Sequence, residues 1–410
     1  MKKYVIIGGS IAGVSCVEGI RSIDPEGEIT VITSEAHSNY GRPLISYYLE
    51  GKTDLVRMSW RGADFFERNG VTVLHEVSVT KLDPEGQKLT LSTGAALPYD
   101  EVCLCTGSYP FSPKFEGLEP VEKRFFFTTL ADALALEKAV DRLTKVLIIG
   151  AGFIGLKCAE GLRDRAGSVT VCDLAKHAMS ANLDADCAPI LEKHLEANGL
   201  RLMLGDTVVR FEGQRAVMQS GKIVDFDVLV IAIGTRPNSA LAAQAGAKVN
   251  RGILVDEAMR TSLPGVFAAG DCTESMDISA GEPGLLAVLP NASLQGRCAG
   301  VNMAGGSDTF RKGIKMNSIG FFGLHIMSAG TYTEPVYTEI TEQGCKKLFA
   351  RDGVLTGFIL LGDVHRAGIY TSLIREKTPL DSIRFDEVKL DPSLLPFGRS
   401  YRAKKLGGAV

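Results

Sequence analysis

An uninterrupted apolar run from Tyr4 to Ile7 stops at Gly8-Gly9 and continues as Ser10-Ile11-Ala12-Gly13. This is the pattern of a buried strand turning sharply into a helix. A second apolar strand runs from Glu28 to Thr33 and ends in Ser34-Glu35. The chain then repeats itself. VIIGGSIAG, ending at Gly13, recurs as LIIGAGFIG, ending at Gly155; ITVIT at 29–33 recurs as VTVCD at 169–173; YDEVCLCTGSYP at 99–110 recurs as FDVLVIAIGTRP at 226–237. Three matched elements in one order, offset by about 130 to 140 residues, predict two nucleotide-binding domains of one α/β architecture.

Between these landmarks the pattern is weaker. Residues 37–52 are polar and glycine-bearing before turning helical around Leu44 to Leu49, and an amphipathic helix is expected from about Leu130 to Leu143. Residues 251–274 read as a strand, a turn and a second strand from Val266 to Ala269, returning to the first domain and ending in Gly270-Asp271. From about Phe310 the character changes. Short strands at 331–340, 345–350 and 354–361, with turns at Gln343-Gly344 and Asp352-Gly353, predict an antiparallel sheet, followed by a helix from about Ala367 to Glu376. This module has no cluster of His, Asp or Cys and reads as an interface; the C-terminal SYRAKKLGGAV, basic and then glycine-bearing, reads as a mobile tail.

The glycine turns carry the candidate chemistry. Gly8 permits the tight turn, the small Ser10 lets a pyrophosphate approach the main chain, and Gly13 lets the helix pack closely on the sheet, its free N–H groups facing the anion. Glu35 is placed to accept hydrogen bonds from both hydroxyls of an adenosine ribose. In the second turn Gly150, Gly152 and Gly155 take the three positions, and Asp173 is the acid. An acid there repels a 2′-phosphate and argues for NAD over NADP, while Lys176 and His177 are the nearby groups that would grip such a phosphate. Arg42, fixed by Pro43, is the strong donor of the 37–52 stretch, and Asp271 is placed to bind a polyol or a phosphate.

Composition narrows the setting. A net charge of -3 gives no electrostatic case for nucleic acid, and no apolar run reaches the roughly 18 residues that span a bilayer. Met1-Lys2-Lys3 leads straight into a strand without the apolar segment of a signal peptide, so a cytoplasmic location is expected. None of the nine cysteines forms a C-x-x-C pair, and Cys103 and Cys105 alternate with Leu104 as small hydrophobes. No structural disulfide, zinc site or iron–sulfur cluster is therefore expected.

Taken together, GGSIAG, YGRP, CTGSYP, GAGFIG, AIGTRPN and TSLPGVFAAGD resemble the FAD-dependent pyridine nucleotide–disulfide oxidoreductase superfamily, in particular its branch of NADH:rubredoxin reductases, ferredoxin reductases and nitrite reductase flavin domains. The resemblance implies two Rossmann-like domains of the three-layer ββα type and a C-terminal α+β interface domain. Its division is FAD domain 1–112, NAD domain 113–240, FAD domain again 241–308, and interface domain 309–410. Carried over by position, Gly8, Ser10, Ile11, Ala12, Gly13, Ser34, Glu35, Arg42, Pro43, Thr106, Gly107, Gly270, Asp271 and Asn291 would contact FAD. Gly150, Gly152, Phe153, Ile154, Gly155, Asp173, Ile233 and Gly234 would hold NAD(H), with Phe153 as a gate over the flavin. Asn291 to Gln295 would open a helix facing the flavin's pyrimidine edge.

The departures from the superfamily matter as much. Arg42, Pro43 and Leu44 stand where relatives carry a redox cysteine, so the resemblance implies that electrons leave the flavin directly to a separate rubredoxin or iron–sulfur protein. Tyr47 replaces a lysine that follows the serine in ferredoxin reductases, and Lys157 replaces a nicotinamide-side glutamate. An NADH oxidase or peroxidase, a flavin-bearing assembly subunit and a redox sensor are the alternative readings, and the C-terminal domain is a candidate homodimer interface.

Overall fold

In a computed structural model, which describes residues 1–405, strand β1 (Lys3–Ile7) is flanked by two parallel neighbours, β2 (Glu28–Ile32) and the later β4 (Glu101–Leu104). Helix α1 (Ile11–Arg21) follows β1, and β3 (Val71–Leu74) extends the sheet beyond β2. Alternation along β1 divides two cores. Tyr4 and Ile6 point to the face covered by α1, where Val14, Cys16, Val17 and Ile20 are buried. Val5 and Ile7 point to the opposite face, covered by a three-stranded antiparallel sheet through Leu82, Leu89 and Leu91. Helix, parallel sheet and antiparallel sheet make the three layers expected from the sequence, each fully buried aliphatic contributing about 1.5–3 kcal/mol.

The second half repeats this plan. Strand β5 (Arg124–Phe125) and helix α3 (Leu130–Ala139) precede β6 (Lys145–Ile149), helix α4 (Phe153–Leu162) and strands β7 (Ser168–Asp173), β8 (Arg201–Leu204) and β9 (Val228–Ile231). The parallel order is β8-β7-β6-β9-β5, and a second three-stranded antiparallel sheet covers one face through Val208, Phe211, Ala216 and Met218. Helix α3 is shorter than its apolar pattern suggested. Val140 is extended, and Asp141 accepts from the backbone N–H groups of Leu143 and Thr144, so a side-chain-capped turn replaces the last helical turn. Strand β10 (Val266–Ala268) then returns to the first sheet beside β4, and helix α6 (Leu289–Met303) packs on α1; helix α5 (Ala188–Ala197) belongs elsewhere, as described next. The α1–α6 approach is close because a Cβ at Gly296 would meet the Ala12 carbonyl and one at Gly300 the Cys16 carbonyl.

These elements lie in one unit, comprising Met1–Lys176, Gly199–Met276 and Pro283–Gly313, whereas α5 lies in a second unit of His177–Asn198, Asp277–Glu282 and the chain from Ile314. The second unit is built on a five-stranded antiparallel sheet of β11 (Met316–Phe321), β12 (Leu324–Gly330), β13 (Glu334–Ile340), β14 (Cys345–Arg351) and β15 (Val354–Leu361), in the order β11-β12-β15-β14-β13. Helix α7 (Gly368–Glu376) buries Tyr370, Leu373 and Ile374 against it. The hairpin β11–β12 was hidden in the sequence because its two-residue turn puts Phe322 (φ 48°) and Gly323 (φ 87°) in the left-handed region, where asparagine or aspartate is the usual first residue.

Two expectations need correction here. Cys187 and Cys345 form a disulfide, with Cα atoms 5.8 Å apart. Their sequence separation of 158 carries no spacing signal, and only the approach of α5 to β14 brings them together. Thiol titration in denaturant is expected to find seven free thiols before reduction and nine after it; nine throughout would exclude the bond. The supposed tail is helical over its first part, α8 (Arg399–Lys405), where the Lys405 ammonium and the Tyr401 hydroxyl both engage Glu376. The rest of the expected tail, 406–410, lies outside the described residues.

Candidate functional site

The two glycine turns correspond almost atom for atom. Gly8 N–H donates to Ile32 O (2.8 Å) as Gly150 N–H does to Cys172 O (2.7 Å), and Cys105 N–H donates to Ile7 O as Ala232 N–H does to Ile149 O, both at 2.8 Å. Behind each sheet, Asp100 accepts from Lys3 N–H and Asp227 from Lys145 N–H, both at 2.7 Å. Gly8 (φ +124°) and Gly150 (φ +114°) have left-handed backbones whose Cβ would overlap the carbonyl oxygens of Cys105 and Ala232. A Cβ on Gly13 or Gly155 would overlap the carbonyl of Gly8 or Gly150, which fixes each helix tightly over its turn.

What these turns leave open fits an anion. Helix α1 begins without a side-chain cap from Ser10, α4 is preceded by Gly152, which has no side chain to cap it, and neither carries an acid in its first turn. Their first N–H groups are thus left to a ligand, at the positive end of each helix. A Cβ on Gly152 would meet nothing within 4 Å, so the space over that turn is unfilled by protein. Ile11 and Ala12 are buried in the first turn of α1, and Phe153 and Ile154 are half-buried at the equivalent place on α4.

Charged residues converge on the first turn. Glu35 is held on both oxygens: Oε1 by the Arg42 guanidinium and Oε2 by the Tyr40 hydroxyl at 2.5 Å. Arg42 also donates to the Thr128 carbonyl (2.8 Å), while Tyr40 Oη accepts the N–H of Leu130, the first residue of α3 (3.1 Å). Burial raises the Tyr40 pKa, so the hydroxyl stays protonated and can donate. Asp271 feels Arg42 as well: burial raises its carboxyl pKa and the arginine opposes the rise. Glu35 and Arg42 and the sequence-distant Asp271 are therefore linked through the one guanidinium beside Gly8–Gly13. Ser34 and Pro43 are exposed next to it.

The third motifs meet each other. Ser108–Pro110 and Thr235–Pro237 pair as an antiparallel ribbon, with Thr106 Oγ1 donating to Asn238 O (2.6 Å) and Asn238 N–H to Gly107 O (2.9 Å). Phe111 N–H closes the ribbon on Gly234 O (2.9 Å), beside the half-buried Ile233. Helix α6 begins at Leu289, so Asn291 lies buried in its first turn, donating to Leu286 O (3.3 Å). Asp173 accepts from Ala151 N–H (2.7 Å) and Ala175 N–H (2.8 Å), bracing the second glycine turn with the same carboxylate proposed for the ribose. His177 is engaged by Glu192 at 3.1 Å, and Lys176 is exposed.

Two site residues escaped the sequence reading, and a third, Gln295, was read only as part of a helix start. Tyr40 stands in the YGRP run, and its hydroxyl was the available signal. Thr128 contributes only a carbonyl, which no sequence pattern reveals. Gln295, buried on α6, accepts from Gly270 N–H (2.8 Å) and donates to Ser275 Oγ (3.0 Å), thereby fixing the turn that carries Asp271.

Two parallel sheets, each with its own glycine turn and acid and each roofed by an antiparallel sheet, define a protein of the two-dinucleotide α/β class. The family model for pyridine nucleotide–disulphide oxidoreductases matches residues 2–296, and the chain belongs to that family. It is 31% identical over 395 residues to the epsilon subunit of an NADH-dependent phenylglyoxylate dehydrogenase from Aromatoleum evansii, spanning 93% of each chain. With an NADH oxidase of Methanocaldococcus jannaschii it shares 32% identity over 396 residues, covering 88% of this chain and 87% of that one. The solved structure of an NAD-dependent persulfide reductase from A. fulgidus superposes with a TM-score of 0.85 at 27% identity, over 99% of this chain and 84% of the other.

Proposed function

We propose that the chain is an FAD-dependent NAD(H):acceptor oxidoreductase that exchanges hydride with NAD(H) and single electrons with a separate rubredoxin or iron–sulfur protein. The observation that carries this reading is the pair of equivalent, uncapped glycine turns within one unit, with Glu35, Arg42 and Asp271 gathered at the first. FAD, when bound, supplies the chemistry, because it takes two electrons together and releases them singly.

The side chains bind and orient. On this reading Gly8–Gly13 and the start of α1 take the FAD pyrophosphate, Glu35 the adenosine ribose, Asp271 the ribityl chain, and Asn291 on α6 the far edge of the ring. Gly150–Gly155 and Asp173 take NAD(H), with Phe153 over the ring, and the engagement of His177 by Glu192 supports NAD over NADP. The division 1–112, 113–240, 241–308 and 309–410 is the corresponding domain plan.

The partner follows from what is missing at 42–44: without a cysteine there, electrons have no thiol to pass through. The A. evansii relative is one subunit of a larger dehydrogenase, which supports a stable complex as the setting. The C-terminal sheet is the surface for that partner or for a second copy. Among the described residues no helix is long and apolar enough to cross a membrane. A cytoplasmic location is part of the proposal, and there the Cys187–Cys345 pair would stand in exchange with reducing thiols.

Anaerobic titration of the yellow protein tests the reading. NADH is expected to bleach the oxidised flavin absorbance stoichiometrically and NADPH to do so far more weakly; bleaching by neither would sink it. The M. jannaschii relative gives the NADH oxidase reading a specific basis. Rapid oxygen consumption with NADH alone would favour that alternative.

A further inference from the structure

Helix α4 carries Phe153, Lys157 and Glu160 at i, i+4 and i+7, on one face. That face meets α2 (Ile45–Leu49) and the residues after it: a Cβ on Gly161 would touch Leu49, and the Lys157 ammonium lies 4.6 Å from the centroid of the Tyr47 ring. Lys157 is only 8% exposed, and it ion-pairs with Glu160 and stands 3.9 Å from Glu50 Oε1. The other Glu50 oxygen is taken by Lys52. Two ammonium groups and two carboxylates thus balance, and the charge reversal at position 157 is neutralised within the cluster.

One acceptor is left over. The Glu50 side chain is 9% exposed, and its Oε1 is buried without a hydrogen bond. A buried carboxylate oxygen in this state is costly unless something donates to it. Its position is informative: α2 follows Arg42 and Pro43 of the first half, whereas α4 opens from the glycine turn of the second. Oε1 therefore lies on the seam where the two halves face each other. The donor it can take is restricted too, because the Lys157 ammonium 3.9 Å away disfavours a second cation. A neutral N–H donor remains.

We propose that Glu50 Oε1 is a binding group for a neutral primary amide and, resting on the function proposed above, that this amide is the carboxamide of nicotinamide, with Lys157 as the residue that positions Glu50. The geometry assigns the specificity for that carboxamide to a side chain on the flavin half, across the seam from the glycine turn that holds the rest of the dinucleotide.

Equilibrium binding to the flavin-loaded protein tests this without turnover. The probes are NADH, its 3-acetylpyridine analogue, whose methyl ketone has no N–H to donate, and ADP-ribose, which lacks the ring. Wild type is expected to bind NADH about tenfold or more tighter than the acetylpyridine analogue, the value of a hydrogen bond to a charged acceptor. Glu50→Ala should bring that ratio close to one and leave the Kd for ADP-ribose unchanged. Glu50→Gln, which keeps an acceptor and the side-chain shape, should retain part of the ratio and serves if the alanine variant does not fold. An undiminished ratio in both variants, or an equal loss of ADP-ribose affinity, would overturn the assignment while leaving the functional reading in place. Failure of wild type to bind any of the three would overturn the functional reading, and this assignment with it.

Discussion

Gly8→Ala is expected to abolish the folded, flavin-loaded protein, whereas Gly152→Ala is expected to keep fold and flavin and lose NADH. The two positions belong to equivalent turns, but they use glycine for opposite reasons. At Gly8 the backbone is left-handed and the new Cβ would lie inside the Cys105 carbonyl, and β1 holds that residue in place because the Cys105 N–H donates to Ile7 O at 2.8 Å. Neither strand can yield without breaking the ladder of the five-stranded parallel sheet, so strain and overpacking add to about 2–6 kcal/mol, against a total stability of about 5–15. At Gly152 the backbone (φ -86°, ψ -173°) suits any residue, and a Cβ would meet nothing. The free volume there is useful only to a ligand that must come close to the main chain. Soluble yield, the ratio of flavin to protein absorbance and NADH titration distinguish the cases. A Gly152→Ala protein that binds NADH with unchanged affinity would show that the space over this turn is not where the pyrophosphate sits.

This contrast also marks how far the sequence could be read. Strand, turn, helix and acid are local chemistry, and their recurrence placed Gly8 opposite Gly150 and set an acid at or just beyond the end of the second strand of each half, Glu35 and Asp173. Side-chain partnerships across the fold were not legible in the same way. Arg42 showed as a donor near a phosphate, yet its partners are Glu35, seven residues back, and a carbonyl 86 residues on. Gln295 looked like part of a helix start, and only the packing of α6 brings its amide to Gly270. Lys157 read as an isolated reversal of charge because Tyr47 and Glu50, which cover and neutralise it, lie on and just after another helix more than a hundred residues earlier. The Cys187–Cys345 bond failed for the same reason. Periodicity reports which face is buried, and not what another element brings to it.

Arg42→Met is the second substitution expected to act strongly, and its effect should grow with pH. The guanidinium holds Glu35 and the Thr128 carbonyl and opposes the burial that raises the Asp271 pKa. Methionine keeps most of the side-chain volume but leaves the Glu35 and Asp271 carboxylates without their guanidinium, at a cost of about 2 kcal/mol once the 35% exposure of the Arg42 side chain is allowed for. The sign follows from Asp271. Its folded-state pKa lies above its unfolded value and rises further without the arginine, so the penalty is absent at low pH, where the carboxyl is protonated in both states. It develops as pH climbs from about 4, the unfolded value, through the folded pKa. Thermal melts of flavin-free protein should therefore show the variant close to wild type in acid and several degrees below it at neutral pH. Adding Asp271→Asn removes the buried charge and should recover most of the neutral-pH loss, while doing nothing to restore flavin affinity, since the proposed ribityl contact goes with it. A stability gap that Asp271→Asn fails to narrow would mean that Arg42 acts through Glu35 and Thr128 alone, and one that stays constant with pH would leave only the Thr128 carbonyl.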